Sequence, residues 1–480
     1  MSDPIDDKTL IIWFKRAYKD IEFIKHKPNY QRIDRFSRLK DSIGRLNHEK
    51  NLFEQKDLLI KIWKDLVATA VIFLKSKDER ETFNDDGDYG VDDLGDFFQS
   101  YCDFEKLLYG SSEFYRDHVS HVFQVFLLGE KFVREKLKDF SSIDVGDNKL
   151  KQNFEKKEGE SEADLQKRNE QKLISNDERE AMWCIASLTH DLGYPTEVVN
   201  KIHDGLRKML TIFNIQDVSY ILSQQSQQFN DSIIKLISSD LIDTDGKKQY
   251  FATHTQAKYY FKYSRSIEKW DHGIESCIVL VKSLVYFLET DYSIDERKLM
   301  DINDARQFLI RQRILRAIAS HNCDFIYHLK LDLSFLLKII DEMQEWGRPS
   351  LNDLFMTHPK ITFSIDKFEV KAIEYSILFS IKDEIKDKNE IHINIKEYFR
   401  RSVNKYIKIL RSAVDGKERE GDKLVLTLNV IDNIEGENRY KFVHKNPQMI
   451  ILTLNDTEIE LEDLAEDKWD TLYKTYKLEK

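Results

Sequence analysis

Residues 186–195 read ASLTHDLGYP, with His190 and Asp191 side by side at the end of an apolar run. Imidazole and carboxylate together suit borderline divalent cations, and a cation so held lowers the pKa of a water toward neutrality. An ordinary helix terminus reads much the same, with Asp and His near the end, Gly as the stop and Pro beyond. A metal reading therefore requires further ligands, and four more stretches offer them. In FYRDHVSHVFQVFLLGEKF, His118 and His121 are three apart and share a helix face. His272 heads an apolar run in EKWDHGIESCIVLVKSL, beside Gly273, and His321 closes RILRAIASHNCDF. Asp341 lies among Leu337, Ile340 and Met343, where a carboxylate is costly unless paired or metal-bound. Taken singly, each histidine reads as a core or cap residue and Asp341 as a cap or ion-pair partner.

The elements carrying these residues read as helices. Proline (6) and glycine (16) are scarce among 480 residues, which favours long helices over a turn-rich sandwich. Hydrophobic residues at 41% allow a large core, and the length suits about two to four domains. Residues 1–83 form an N-terminal helical region, with TLIIWFKRAYKDIEFI and DLLIKIWKDLVATAVIFL at helical spacing. NDDGDYGVDDLGD is a solvated break; it lacks the ligand spacing and closing Glu of a calcium loop. A helical domain spans 99–346, interrupted over 141–179 by a charged, exposed insertion and by polar loops near 240–250 and 290–300. From 355 to 480 the texture changes to a smaller α+β domain. KITFSIDKFEVKAIEYSILFSI, EIHINI, KLVLTLNV, RYKFVH and QMIILTLN read as strands, and IKEYFRRSVNKYIKILRSAV as an amphipathic helix. The fold class is mainly α.

The four cysteines, Cys102, Cys184, Cys277 and Cys323, show no paired spacing and read as reduced core thiols. The N-terminus lacks the pattern of a signal peptide, and no apolar run reaches ~18 residues. These features predict a cytoplasmic protein without a membrane span. The net charge of −11 counts against a general nucleic-acid coat.

Histidine, then His-Asp, then histidine, histidine and aspartate, all in helical contexts, resembles the HD-domain metal-dependent phosphohydrolase superfamily. The motifs that carry the resemblance are H-x-x-x-V at His121–Val125, THDLGYP, DHGIES, AIASHN and D-x-x-Q-E-W, over roughly residues 99–346. It implies a helical core with one or two divalent metals (Mn, Fe, Ni or Mg). His121, His190, Asp191 and Asp341 would form the first metal site, and His272 and His321 would hold a second metal or contact phosphate. Asp191, His272 and His321 would be the catalytic groups, with Asp191 bridging two metals and orienting the hydroxide. His118 and His121 both fit the first-ligand slot. His121 is favoured because the family's first histidine is usually followed by valine four positions on, although Val122 gives His118 the same feature. His118 then either supports the ligands from behind or contacts phosphate, and Arg116 reads equally as a phosphate contact or a surface ion-pair partner.

His203 and His254 read as surface histidines, with substrate contact as the alternative, and Arg311, Arg313 and Arg316 as an exposed charged face, with phosphate contact as the alternative. Tyr115, Tyr194, Tyr259 and Tyr260 are available near the site but decide nothing. The expected function is hydrolysis of a nucleotide phosphoester (a nucleotide, a triphosphate or a cyclic nucleotide), in a homo-oligomer. Two alternatives stand. One is a nuclease on single-stranded nucleic acid using a basic face at 395–411; the other is a non-catalytic, metal-stiffened regulatory protein.

Overall fold

A computed structural model describes residues 4–25, 35–78, 90–111, 117–150, 161, 173–198, 224–246, 249–288, 299–323, 326, 328–344, 346, 360–369, 371–380, 395–412, 425–433, 438–446 and 449–459. The molecule is mainly helical, with a sheet toward its C-terminus. Among the described residues, the helices that precede the first site histidine are α1 (Asp7–Ala17), α2 (Glu22–Lys25), α3 (Arg35–Arg45), α4 (Lys56–Asp78) and α5 (Val91–Ser111). The site helices follow: α6 (Val119–Phe132), α7 (Asn176–Thr189), α8 (Gln224–Ser238), α9 (Ala257–Glu268), α10 (His272–Ser283), α11 (Ile302–Ser320) and α12 (Leu333–Met343).

Described helices within residues 1–83 pack against the site helices. α4 packs on α7 and α6, and α1 packs on α6. Trp63 donates its indole N–H to Leu188 O at 2.7 Å, within two residues of His190. The buried Asp7 carboxylate accepts from Leu52 N–H and Gln124 Nε2 at 2.8 Å and from Trp346 Nε1 at 3.1 Å. One carboxylate thus joins α1, α6 and the chain beyond α12. The amphipathic pattern of these helices was legible, but the partner of each apolar face was not.

The expected exposed insertion at 141–179 is corrected at both ends. Phe140, Ile143, Val145, Leu150 and Ile174 are buried. Arg179 is buried as well; it pairs with Asp147 at 2.6 Å and donates to Ile143 O and Ile174 O, stitching the two ends together. Glu178 pairs with Arg306, and Arg134 spans Glu130 and Glu180. Charge density signals exposure only when each charge lacks a partner. Three arginines of α11, Arg311, Arg313 and Arg316, are corrected for the same reason. Arg311 donates to Tyr286 O at 2.8 Å and lies over the Tyr286 ring at 4.2 Å. Arg313 donates to Val145 O at 3.0 Å, and Arg316 to Ile237 O and Ser239 O at 2.8 Å. They cap backbone carbonyls and form no exposed face. The expected polar loop near 240–250 is in part a hairpin, β1 (Ser239–Asp243) against β2 (Phe251–Thr255).

Among the described residues, the C-terminal sheet has six strands in sequence order: β3 (Lys360–Glu369), β4 (Ala372–Ser380), β5 (Val425–Asp432), β6 (Asn438–Asn446), β7 (Met449–Leu454) and β8 (Thr457–Glu458). The alternating run 360–381 folds as two antiparallel strands. β4 and β5 are parallel, and the chain between them contains α13 (Ile395–Ser412). Most of EIHINI lies outside the described residues, and its last residue, Ile395, opens α13. α13 seats Tyr398, Phe399 and Tyr406 against Phe379, Tyr440 and Tyr375 of the sheet. The first strand meets the helical body where Ile5 N–H donates to Phe363 O at 2.6 Å and Phe368 stacks on Phe132 with ring centres 5.7 Å apart.

α6 and α7 touch where a side chain is lacking. A Cβ at Gly129 would stand 2.0 Å from Trp183 Cζ2, and that indole also donates to Phe126 O at 3.2 Å. Gly129→Ala is therefore expected to destabilise the fold by about 1–3 kcal/mol through overpacking. Chemical denaturation followed by circular dichroism measures it, and an unchanged midpoint would contradict the close approach.

Candidate metal centre

The six residues singled out as ligands come together at helix ends. His121 lies in the first turn of α6, and His272 opens α10. His190 and His321 are the C-cap residues of α7 and α11, and Asp341 is in the last turn of α12. Three helix C-termini converge there, and their partial negative charge favours a cation.

Two clusters share Asp191, whose side chain is buried. Its Oδ2 is 3.4 Å from His190 Nε2 and 3.7 Å from His121 Nε2. Asp341 Oδ1 closes this cluster at 2.8 Å from His121 Nε2 and 3.7 Å from His190 Nε2. The other oxygen, Asp191 Oδ1, is 3.4 Å from His272 Nε2 and 3.5 Å from His321 Nε2, and those two nitrogens are 2.9 Å apart.

The far side of each imidazole meets an acceptor. His190 Nδ1 lies 2.8 Å from Ser187 O and His321 Nδ1 2.5 Å from Ile318 O, each the carbonyl three residues back in its own helix. His272 Nδ1 faces Glu197 Oε2 at 2.7 Å. His121 Nδ1 faces Gln344 Oε1 at 2.6 Å, and the Gln344 amide is oriented by donating its Nε2–H to Trp346 O. A carbonyl or carboxylate only accepts, so each Nδ1 carries a proton and Nε2 is the atom each ring turns toward the carboxylates.

These distances fit a bound cation. Donors held about 2.0–2.1 Å from one ion stand roughly 2.9 Å apart at octahedral angles and roughly 3.4 Å at tetrahedral ones. The separations above run from 2.8 to 3.7 Å. His190 Nε2 is buried with no hydrogen-bond partner, as an atom reserved for a metal would be. Among the described residues, the buried His and Asp groups are able to hold one metal ion or two.

Electrostatics set the charges at the site differently for each group. Burial acts to raise Asp191, but the His190 charge and the His321 and His272 imidazoles outweigh it and hold it well below the carboxylate range. Asp341 is held down likewise by His121 and His190 against the effect of burial. Burial opposes charging of His190, yet the Asp191 carboxylate raises it to about 9. His321 is pushed down to about 4 by burial, with the neighbouring histidine charges adding to the effect. Both carboxylates are thus ionised, and His321 is neutral and able to donate a lone pair.

His118 and His121 are placed differently. His118 is the N-cap of α6, its N–H donates to Glu105 Oε1 at 2.6 Å, and its ring stacks on Tyr194 with centres 3.8 Å apart. It borders the site but lies outside both ligand clusters. Tyr194 also meets the His272 ring at 5.5 Å. Arg116, Tyr115 and His203 lie outside the described residues. His254 is exposed on β2 opposite Asp240. Tyr260 donates to Asp231, and Tyr259 packs against the core.

Sequence reasoning missed the supporting shell. Gln344 lies inside the quoted D-x-x-Q-E-W, three residues after Asp341, and that spacing was the available signal. Ser187 and Ile318 are marked only by their place one turn before a helix-ending histidine. Gly193 is a point of close approach. A Cβ there would lie 2.3 Å from His272 O, and its N–H donates to Ser276 Oγ at 2.8 Å. Ser276 Oγ also sits 2.6 Å from His190 O and 2.8 Å from His272 O, donating its one proton between them and locking the His-Asp turn to α10.

No protein-family model matches the chain, and no curated protein or solved structure matches it either.

Two predictions follow from the shell. Gln344→Ala and Glu197→Ala each release one imidazole and are expected to weaken metal binding about 10–100-fold. Competition with a chelating dye reads this, and parental affinity in both variants would refute the assigned tautomers. Beside His118, burial and the Asp117 carboxylate push Glu105 up to about 7, with Lys56 opposing. A carboxyl raised above its unfolded value stabilises the fold fully below about pH 4 and loses that contribution as pH rises through its folded value. Glu105→Gln keeps the acceptor for His118 N–H. It is expected to flatten the fall in Tm between about pH 5 and 8, which a thermal melt series would reveal.

Proposed function

We propose that the chain is a metal-dependent phosphohydrolase of the HD-domain superfamily that hydrolyses a nucleotide phosphoester. The observation that carries this reading is the orientation of the four imidazoles. Each hands its Nδ1 proton to an acceptor behind it and turns Nε2 toward one oxygen or the other of Asp191.

His121, His190, Asp191 and Asp341 would hold one divalent ion, and Asp191, His272 and His321 a second. Such ions supply Lewis acidity, which ionises a water near neutral pH and offsets charge growing on phosphoryl oxygens. The protein's own groups do the rest. Asp191, ionised and presenting one oxygen to each cluster, orients the nucleophile between them. Asp341 and His272, part-exposed at 18% and 14% of their side-chain surfaces, mark where a phosphoester enters. The Ser276 hydroxyl and the close approach at Gly193 keep the two halves from separating. A site held within a fraction of an ångström by such contacts is what efficient positioning requires.

The test is elemental analysis of the purified chain, followed by a panel of nucleoside mono-, tri- and cyclic phosphates with added manganese. The parent is expected to carry metal and release phosphate or nucleotide. Asp191→Asn and His190→Ala should lose metal and lower turnover by at least about a thousandfold, a few kcal/mol of transition-state stabilisation, while the far-ultraviolet spectrum stays nearly the same. Undiminished turnover in both variants would reject the site.

A further inference from the structure

A cavity of about 700 Å³ opens beside the paired histidines, bounded by α9, α12 and α13, with His321 and Asn322 in its lining. Asn322 Nδ2 is also 3.1 Å from His272 Nδ1, so the cavity and the second cluster share a wall. The lining holds six basic side chains against two carboxylates, in a chain of net charge −11. Lys262, Arg265 and Lys269 come from α9 and its C-cap, where their spacing places them on one face. Lys405 and Lys408 come from α13, three residues apart. Glu342 answers Lys338 at 2.7 Å and Lys405 at 2.5 Å. Asp271 accepts from Ser266 Oγ at 2.6 Å. No described carboxylate pairs with Arg265, Lys269 or Lys408, which are all exposed. Burial and the Lys258 charge push the Lys262 ammonium below the ordinary lysine range, a repulsion that a bound anion relieves.

We propose that this cavity binds the polyphosphate part of a nucleotide-sized anion, with α9 and α13 as its two basic walls. The volume suits a ligand of that size. Ammonium and guanidinium groups facing one another across a cleft recognise phosphate oxygens by charge-assisted hydrogen bonds. Single-stranded nucleic acid is gripped by aromatic platforms as well, and among the described residues the lining contains no Phe, Tyr or Trp. The C-terminal unit is then part of the binding site through α13. That the anion is the substrate, with its reacting phosphate at Asp191, rests on the proposed function; the anion site itself does not.

The full chain, as purified with its metal, is titrated calorimetrically with inorganic tripolyphosphate at low and raised salt. The triple variant Arg265→Gln, Lys269→Gln, Lys408→Gln is compared with Lys50→Gln, a charge change on an exposed loop elsewhere. The triple variant is expected to bind about tenfold more weakly or worse, as expected for lost charge-assisted contacts, with metal content unchanged and Lys50→Gln like the parent. On a hydrolysed triphosphate it should raise KM rather than lower kcat. Equal tripolyphosphate affinity in parent and triple variant would overturn the anion site and leave the hydrolase reading standing. Variant-sensitive tripolyphosphate binding by a chain that hydrolyses no phosphoester would support the anion site and sink the hydrolase reading. Tighter binding of a single-stranded oligonucleotide through the same three residues would overturn the proposal in favour of nucleic acid.

Discussion

The structure depends on one buried anion. The Asp191 carboxylate stands out of water with imidazole nitrogens within 3.7 Å on both sides, and burying it uncompensated would cost several kcal/mol. Everything that brings those imidazoles in has to arrive together, from four helices distant in sequence. Helix ends are suited to this task. A histidine at a C-cap can fold its Nδ1 back onto a carbonyl that the helix leaves without an internal partner, and its other nitrogen then points outward along the axis. His190 and His321 use the same device, which is why the two helix ends look alike in THD and SHN.

The helices before the site serve this arrangement by packing behind it. Trp63 of α4 caps a carbonyl of α7 just before His190, and Asp7 gathers three donors from separate segments. The start of α7 is held differently, by Glu178, Arg179 and Glu180, each paired with a charge elsewhere. A helix fixed by ion pairs at its start and by aromatic packing along its side leaves its end little freedom, which is the rigidity a ligand pair requires.

The sheet is coupled to the same centre through a single residue step. Asp341 faces His121, and the next residue, Glu342, takes up Lys405 of α13 and Lys338 of its own helix. Lys405 also donates to Glu342 O at 3.2 Å. α12 therefore presents a carboxylate to the histidine cluster on one side and a second carboxylate to the C-terminal unit on the other.

The ligand types were legible in the chain because their demands are local. A polar side chain in an apolar run must be satisfied, and His-Asp before Gly-Tyr-Pro, or Asp341 in its stripe, announces that need wherever it lies in space. The mainly helical character and the strands after residue 360 were legible for the same reason, since periodicity is a property of neighbours. What periodicity lacks is the partner. Whether the charged ends of 141–179 faced water or Arg179, whether the arginines of α11 met phosphate or carbonyls, and whether His118 or His121 reached Asp341 all depended on residues far along the chain. The sequence by itself determined which atoms were able to bind a cation and which faces had to be buried. Only the tertiary structure decided which Nε2 meets which oxygen of Asp191, because that depends on the packing of one helix against another, set by contacts such as Gly129 with Trp183 and Gly193 with His272.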